Sequence, residues 1–281
     1  MIYGIDVLNS EVRWVRNSKG DEPTTFGRVF VEDSSPSGLK QTLRGLFTRL
    51  QIRKFVFPLQ GRDVKVKCFA SDKVDISELE DNVAWEARFF LGFDKSRDIM
   101  SFDPLRSVGQ ETWVVAAKAL FEDVKRQSEV FPISPVHTET GQTAIANAVL
   151  ESKWGQNAVM TLHLDTTRAF LVVVSHGIPI LAQELFMDKP FSGQFDEVSF
   201  TMWQEELKLR RNFLLPDHRK LDAFLLSGEA GLNQENAKRL GESIDLDGSV
   251  FEPFEGKDTD SGTNVSPLYS IAYACSLRDE P

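Results

Sequence analysis

The chain has 281 residues, 41% hydrophobic and 26% charged, with 42 acidic against 32 basic side chains and a formal net charge of −10. That is enough apolar material for a buried core and for two lobes, and the acidic balance repels phosphate backbones and anionic lipid, which argues against nucleic acid as a partner. No apolar run approaches the roughly 18 residues that would cross a bilayer, and the N-terminus lacks the basic start and long apolar core of an export signal, so a cytoplasmic protein without direct membrane insertion is expected.

Along the chain, residues 3–7 read as a strand ending near Asp6, 12–16 as a second and 26–31 as a third. Leu39, Leu43, Leu46, Phe47 and Leu50 then fall on one face of a helix over 37–50. Strands follow at 54–58 and 64–70. Asp75-Ile76-Ser77-Glu78 is an acidic helix start, the run continues through Leu79, Val83, Trp85, Ala87 and Phe90, and Gly92 is its stop. Next come a strand at 111–118, a helix at 120–130, a strand at 133–138 and a helix at 141–152 rich in small residues (Ala144, Ala146, Ala148).

At Gly155 the pattern restarts. Residues 158–164, 169–174 and 178–185 read as three strands on short loops, with Gly177 in a turn. A long helix over 195–214 carries Phe200, Trp203, Leu207 and Leu214 on one side. A buried strand at 221–226 stops at Ser227-Gly228, a helix spans 233–240, residues 257–264 form a polar loop, and a helix over 267–277 closes the chain. Each half opens with three strands and then alternates helix and strand. The expected architecture is α/β, a duplicated lobe cut at 154/155, with a ligand crevice between the lobes. Cys68 and Cys275 are the only cysteines and neither CxxC nor HExxH occurs, so both read as buried thiols in a reducing compartment and no zinc site is expected.

Three stretches bear on chemistry. The first runs from Gly4 to Arg13 and holds Asp6, Asn9 and Ser10. The second runs from His163 to Ala169 and holds Asp165, Thr166 and Thr167. The third runs from Phe224 to Leu232 and holds Gly228 and Glu229. Each alone is unspecific, because a strand ending in Asp is common and Ser-Gly after a strand is usually a turn. In this order and spacing they resemble the two phosphate motifs and the adenosine motif of the actin-like ATPase and sugar-kinase superfamily. There, hairpin turns aim backbone N–H groups at phosphates, a carboxylate beside each turn holds Mg²⁺ through water, and a glycine lets backbone lie close to the adenosine.

Residues 76–93, ISELEDNVAWEARFFLGF, sharpen the resemblance. They resemble the Trp-Glu-Ala and aromatic-Gly/Pro-Phe segment of the PilM family of type IV pilus assembly proteins. In that family and in FtsA, the segment belongs to a subdomain inserted into the first lobe, here at about 60–132. Residues 111–118, Ala144-Ile145-Ala146-Asn147-Ala148, Gly177-Ile178-Pro179-Ile180 and 269–278 also fit, so the resemblance covers essentially the whole chain.

The departures concern phosphate. The family's first turn is Asp-Ile-Gly where this chain has Asp6-Val7-Leu8, so a side chain stands where backbone would approach phosphate. In the second turn the family's Asp aligns either with His163, which puts Asp165 at the glycine, or with Asp165 in a shortened loop. Both alignments lose the glycine and bring Arg168 into the turn. Ser-Gly-Gly becomes Ser227-Gly228-Glu229, and a longer insertion after Glu184 is missing, which implies a trimmed second lobe.

Efficient hydrolysis is therefore not expected, because a γ-phosphate needs dense N–H donation and paired Mg²⁺-directed carboxylates. If a nucleotide binds, the resemblance makes it ATP with Mg²⁺ through Asp6, with Glu139 a further acidic group. Glu206 and Arg210 could flank adenosine, or form a plain i,i+4 ion pair. What the resemblance implies instead is a cytoplasmic adaptor of a type IV pilus or related type II secretion platform. It would be held at the inner membrane by the short cytoplasmic tail of a PilN-like protein, with self-association open. Phe89, Phe90 and Phe93 are the candidate walls of the peptide groove, or else that subdomain's own core. The alternatives are an ATPase or small-molecule kinase, marked by magnesium-dependent nucleotide binding lost in Asp6→Ala, and an FtsA-like filament former. The latter would carry an amphipathic C-terminal helix, whereas this sequence ends Leu277-Arg278-Asp279-Glu280-Pro281.

Overall fold

A computed structural model describes residues 1–17, 23–72, 76–108, 111–214, 220–259 and 263–278. Asp75 of the expected helix start, positions 260–262 of the expected loop, the last three residues and the side chain of Leu214 lie outside the described set. The chain divides into two compact units, one made of Met1–Ala144, Gly256–Thr263 and Ile271–Pro281, the other of Ile145–Glu255 and Asn264–Ser270.

In chain order the first unit holds β1 (Tyr3–Val7), β2 (Glu11–Arg16), β3 (Thr25–Phe30), α1 (Pro36–Leu50), β4 (Phe55–Leu59), β5 (Lys65–Ser71), α2 (Ile76–Glu86), β6 (Asp98–Val108), β7 (Glu111–Leu120), α3 (Phe121–Ser128) and β8 (His137–Thr140). Its main sheet has the order β3-β2-β1-β4-β8. The first three strands are antiparallel, while β4 pairs in parallel with β1 and β8. α1 starts where Ser35 accepts a bond from the Gly38 N–H and Pro36 takes the first helical position, a donor-free residue where no donor is needed. Its Leu43, Leu46 and Phe47 pack with Ile5, Val12, Phe55, Phe57 and Phe131, whose ring centroid lies 4.6 Å from that of Phe55.

The inserted subdomain is a three-stranded antiparallel sheet, β5-β7-β6, covered by α2. α2 runs on into a π-helical turn over Ala87–Leu91, and Gly92 ends it in the left-handed conformation, the expected stop. Leu79, Val83, Ala87 and Leu91 form its buried stripe against Phe69, Val114 and Ala116. Their spacing of four residues would drift round a regular helix by about 40° per step, and the wider π turn takes up part of that drift. β6 is absent from the strands expected above. Pro104 argues against a strand, but β6 is an edge strand with a register shift beside Leu105, where proline is tolerated.

Asp98 and Lys118 form a buried ion pair in this sheet, 3.0 Å apart. Burial pushes the Asp98 carboxyl up, but the Asp94 N–H and the Lys118 ammonium outweigh it and hold it below the ordinary value. A carboxyl whose folded value lies below its unfolded one contributes stability above the unfolded value, and that share is lost as pH falls through the folded one. Asp98→Asn should therefore flatten the fall in stability on acidification below about pH 4, measured by urea unfolding at successively lower pH.

The second unit repeats the strand plan. It holds β9 (Ala158–Leu164), β10 (Ala169–Ser175), β11 (Ile178–Leu185), α5 (Glu197–Leu214), β12 (Ala223–Ser227), a 3-10 turn at Glu229–Leu232, α6 (Gln234–Ser243) and β13 (Gly248–Val250). Sheet order is β11-β10-β9-β12-β13, three antiparallel strands and then parallel pairing of β12 with β9 and β13. All of β9 is buried, as suits a strand covered on both faces. α4 (Gly141–Leu150) carries the chain from the first unit into the second. After a 3-10 turn at Thr263–Tyr269, α7 (Ser270–Ser276) brings it back.

Candidate functional site

β1 and β2 are joined by a tight turn in which the Leu8 N–H donates to the Glu11 carbonyl at 2.8 Å. Asn9 and Ser10 stand exposed at its tip, and Leu8 is buried. The side chain that distinguishes this turn from Asp-Ile-Gly is thus packed inside the protein. Asp6 is fully buried, directly opposite Arg13 in the ladder. Side chains so placed have Cβ atoms about 5 Å apart. The Arg13 guanidinium is fully buried too, and its Nε donates to Glu11 Oε1 at 2.6 Å.

Glu139 closes β8. Its Oε1 accepts from the Thr140 N–H and the Thr143 hydroxyl, and its Oε2 from Nε and Nη2 of Arg278, with Nε at 2.7 Å. Burial weighs against the charge on Arg278, but Glu139 beside it raises the guanidinium above its ordinary value.

The third carboxylate, Asp165, directly follows β9 in the second unit. The turn is closed by the Asp165 N–H donating to the Arg168 carbonyl at 3.0 Å, leaving Thr166 half-buried and Thr167 exposed between them. Asp165 Oδ2 accepts from Nε and Nη2 of Arg168 at 3.1 and 2.8 Å and lies 2.9 Å from His163 Nε2. Its Oδ1 accepts the Glu229 N–H at 3.3 Å. A carboxylate can only accept, so His163 Nε2 carries a proton. In the neutral ring Nδ1 then accepts from the Ser227 hydroxyl, 2.9 Å away at the end of β12. Ser227, His163 and Asp165 have no solvent exposure and Arg168 only 5%.

Gly228 stitches the third turn to the second. It sits at φ 74° and ψ −158°, and a Cβ there would lie 2.6 Å from the Leu164 carbonyl oxygen and 3.0 Å from Asp165 Oδ1. The missing side chain lets this backbone close over the Asp165 turn. Serine, histidine and aspartate in a row are also the residue types of a hydrolytic triad. Here the serine faces Nδ1, sits out of solvent, and shares an aspartate already spent on arginine, so no substrate reaches it.

The donor set does not suit a Mg²⁺-triphosphate. Both oxygens of Asp165 are bonded within its own unit, Glu139 holds an arginine, and Asp6 faces one across its ladder. Asp165 and Glu139 each bond an arginine of this chain where a metal would otherwise balance the charge, and Asp6 stands opposite Arg13 in its ladder. Of these partners, Arg168 was legible in the sequence. Ser227, Arg13 and Arg278 acquire their roles only through pairing, and Arg278 lies 139 residues from Glu139. Glu206 and Arg210 pair with each other along α5 at 2.7 Å, the plain i,i+4 arrangement.

The inserted subdomain carries a different surface. Phe89 is 71% exposed, Phe90 57% and Trp85 54%. Trp85 stacks on Phe89 with centroids 5.1 Å apart and meets Phe90 edge-on at 6.5 Å. Lys67 Nζ lies 3.0 Å from the centre of the Phe90 ring and 2.6 Å from Glu86, so one face of Phe90 is already covered. Phe93 is half-buried against the subdomain core. The sequence pointed to the phenylalanines and passed over Trp85, although a spacing of four from Phe89 was the available signal.

No protein-family model and no curated protein matches the sequence. Solved structures do match. A chain of a PilM–PilN type IV pilus biogenesis complex aligns with a TM-score of 0.80 at 17% identity, covering 98% of this chain and 97% of that one. Ethanolamine utilization protein EutJ from Carboxydothermus hydrogenoformans aligns at 0.56 with 10% identity, over 98% of this chain and 89% of that one. A Bacteroides thetaiotaomicron protein with an actin-like ATPase fold aligns at 0.54 with 10% identity, over 99% and 96%. The chain has the actin-like ATPase fold.

Proposed function

We propose that this actin-like chain is an adaptor of a pilus or related secretion assembly platform. It takes up the cytoplasmic tail of a PilN-like inner-membrane protein and makes little or no use of ATP. In this reading it works in the cytoplasm, held at the membrane through its partner, and its two lobes are residues 1–154 and 155–281. The observation that carries it is the closed Asp165 network. A carboxylate that a nucleotide site would point at Mg²⁺ is occupied on both oxygens by Arg168, His163 and the Glu229 N–H.

With nucleotide chemistry set aside, recognition of polypeptide is the function left for the fold, and the Trp85–Phe89–Phe90 platform supplies a surface for it. Exposed, rigid aromatics are the residues that dominate such interfaces. Likeness to a chain from a PilM–PilN complex supports the choice of partner.

The test is calorimetry with a synthetic peptide of the cytoplasmic N-terminal tail of a PilN-like single-pass protein. Binding is expected, with Phe89→Ala weakening it about 10–30-fold, because Phe89 is the most open ring of the platform. Added Mg²⁺-ATP should shift neither the peptide affinity nor the melting temperature. No binding at high micromolar protein, or a melting temperature that climbs with Mg²⁺-ATP as linkage demands of a ligand, would sink the proposal.

A further inference from the structure

α5 is apolar on two faces. Trp203 and Leu207 are buried in the core of the second unit, and Phe200 packs beside them. On the other side Val198 is 81% exposed, Met202 39%, Leu209 61% and Phe213 77%. At 100° per residue these four fall within an arc of about 60°, a stripe about 22 Å long. Single exposed apolar residues are ordinary, but four in line on one helix mark a contact surface.

The stripe has an internal symmetry. Its spacings are four, seven and four, so its midpoint lies between Glu205 and Glu206. Turning a second α5 end for end about that point sets Val198 against Phe213 and Met202 against Leu209. The smallest side chain thereby meets the largest, and the medium ones meet each other. A patch that complements itself under a two-fold rotation is what an isologous dimer requires.

Charge points the same way. Glu197 opens α5, Glu205 and Glu206 flank its midpoint, and Lys208, Arg210 and Arg211 lie beyond it. Arg210 is engaged by Glu206, and Arg211 by Asp245 at 2.8 Å. Glu205 borders the stripe with Lys208 farther out on the same flank, and in the antiparallel arrangement the two Glu205 stand about 1.5 Å apart along the axis, each about 3 Å from the level of the other copy's Lys208, so the two acids are bracketed by two lysines. A parallel pair would set acidic ends together and basic ends together.

We propose that two copies of this chain associate through an antiparallel α5–α5 seam built on Val198, Met202, Leu209 and Phe213. The seam lies in the second unit and the Trp85 platform in the first, and its test does not depend on the tail peptide. In sedimentation equilibrium the full-length chain should reach twice its monomer mass by about 0.1 mM, with Met202→Lys weakening association at least about tenfold. Orientation is read from cysteine crosslinking. An oxidised mixture of Met202→Cys and Leu209→Cys chains should give covalent dimer. Either variant alone should give little, because like positions stand about 10 Å apart along the axis. Cys68 and Cys275 are common to every sample and set the background. A wild-type chain that stays monomeric at that concentration overturns the proposal, as does a single variant that crosslinks as well as the mixture.

Discussion

Replacing Arg168 by alanine is expected to remove about 3–5 kcal/mol of stability, seen as a lower urea midpoint at an unchanged slope. The guanidinium is 5% exposed and gives Asp165 two bonds, at 3.1 and 2.8 Å. Without it a fully buried carboxylate loses its charged partner, far from water that could compensate, with His163 and the Glu229 N–H still beside it. An arginine pairing at the surface would contribute under about 1 kcal/mol, so the size of the loss separates the two situations.

The companion variant removes both charges. Asp165→Leu with Arg168→Met leaves no unbalanced ion, and most of the lost stability should return, because buried pairs are often replaceable by apolar side chains of similar volume. A loss below about 1 kcal/mol in Arg168→Ala, with no recovery in the double variant, would mean the network does not hold the turn. Titrating Mg²⁺-ATP into Arg168→Ala adds a functional readout. If the arginine merely shields a competent site, the variant would gain nucleotide-dependent thermal stabilisation, and none is expected.

Gly4→Ala is expected to be the second most damaging change, at about 3 kcal/mol, the upper end of what overpacking inflicts on a core. A Cβ on Gly4 would lie 1.7 Å from the Ala272 carbonyl oxygen and 2.7 Å from the Ser276 nitrogen. Both are backbone atoms of α7, so no side chain can swing aside, and the helix must lift from β1. β1 itself cannot retreat, since Gly4 is paired with Val15 on one side and Val56 on the other. Ser276→Ala, which trims a side chain and spares the backbone, should cost far less. Equal losses would show that the close approach at Gly4 is not what fixes α7.

The strand plan was legible because apolar alternation and turn residues repeat in both halves, and Tyr3–Val7 and Ala158–Leu164 fall where the pattern puts them. β6 and β13 were not. One contains a proline that its edge position tolerates, and the other has three residues, Gly248–Val250, too few for any period to show. β8 was expected from residue 133 and starts at His137, because 133–136 contains Pro135 and the pairing with β4 begins only at the Val136 N–H, which donates to the Phe55 carbonyl just before Val56 meets His137. In the second phosphate turn, His163 and Asp165 were rival positions for one carboxylate. The fold makes them neighbours that bond each other, a relation that spacing along a strand cannot express. Arg278 was visible as a residue and invisible as a partner, because its contact with Glu139 exists only once α7 is laid on β1.

The π-helical turn at Ala87–Leu91 has a consequence for how this surface can change over generations. Such a turn holds one residue more than an α-helical turn of the same height, so losing a single codon there would restore ordinary winding while leaving the helix on either side close to its present orientation. Leu91 could keep its place in the core, and the change would fall on the turn itself, which carries the exposed Phe89 and Phe90. This exposed aromatic pair can therefore be altered by a one-residue deletion as well as by point substitution, without the subdomain core being undone.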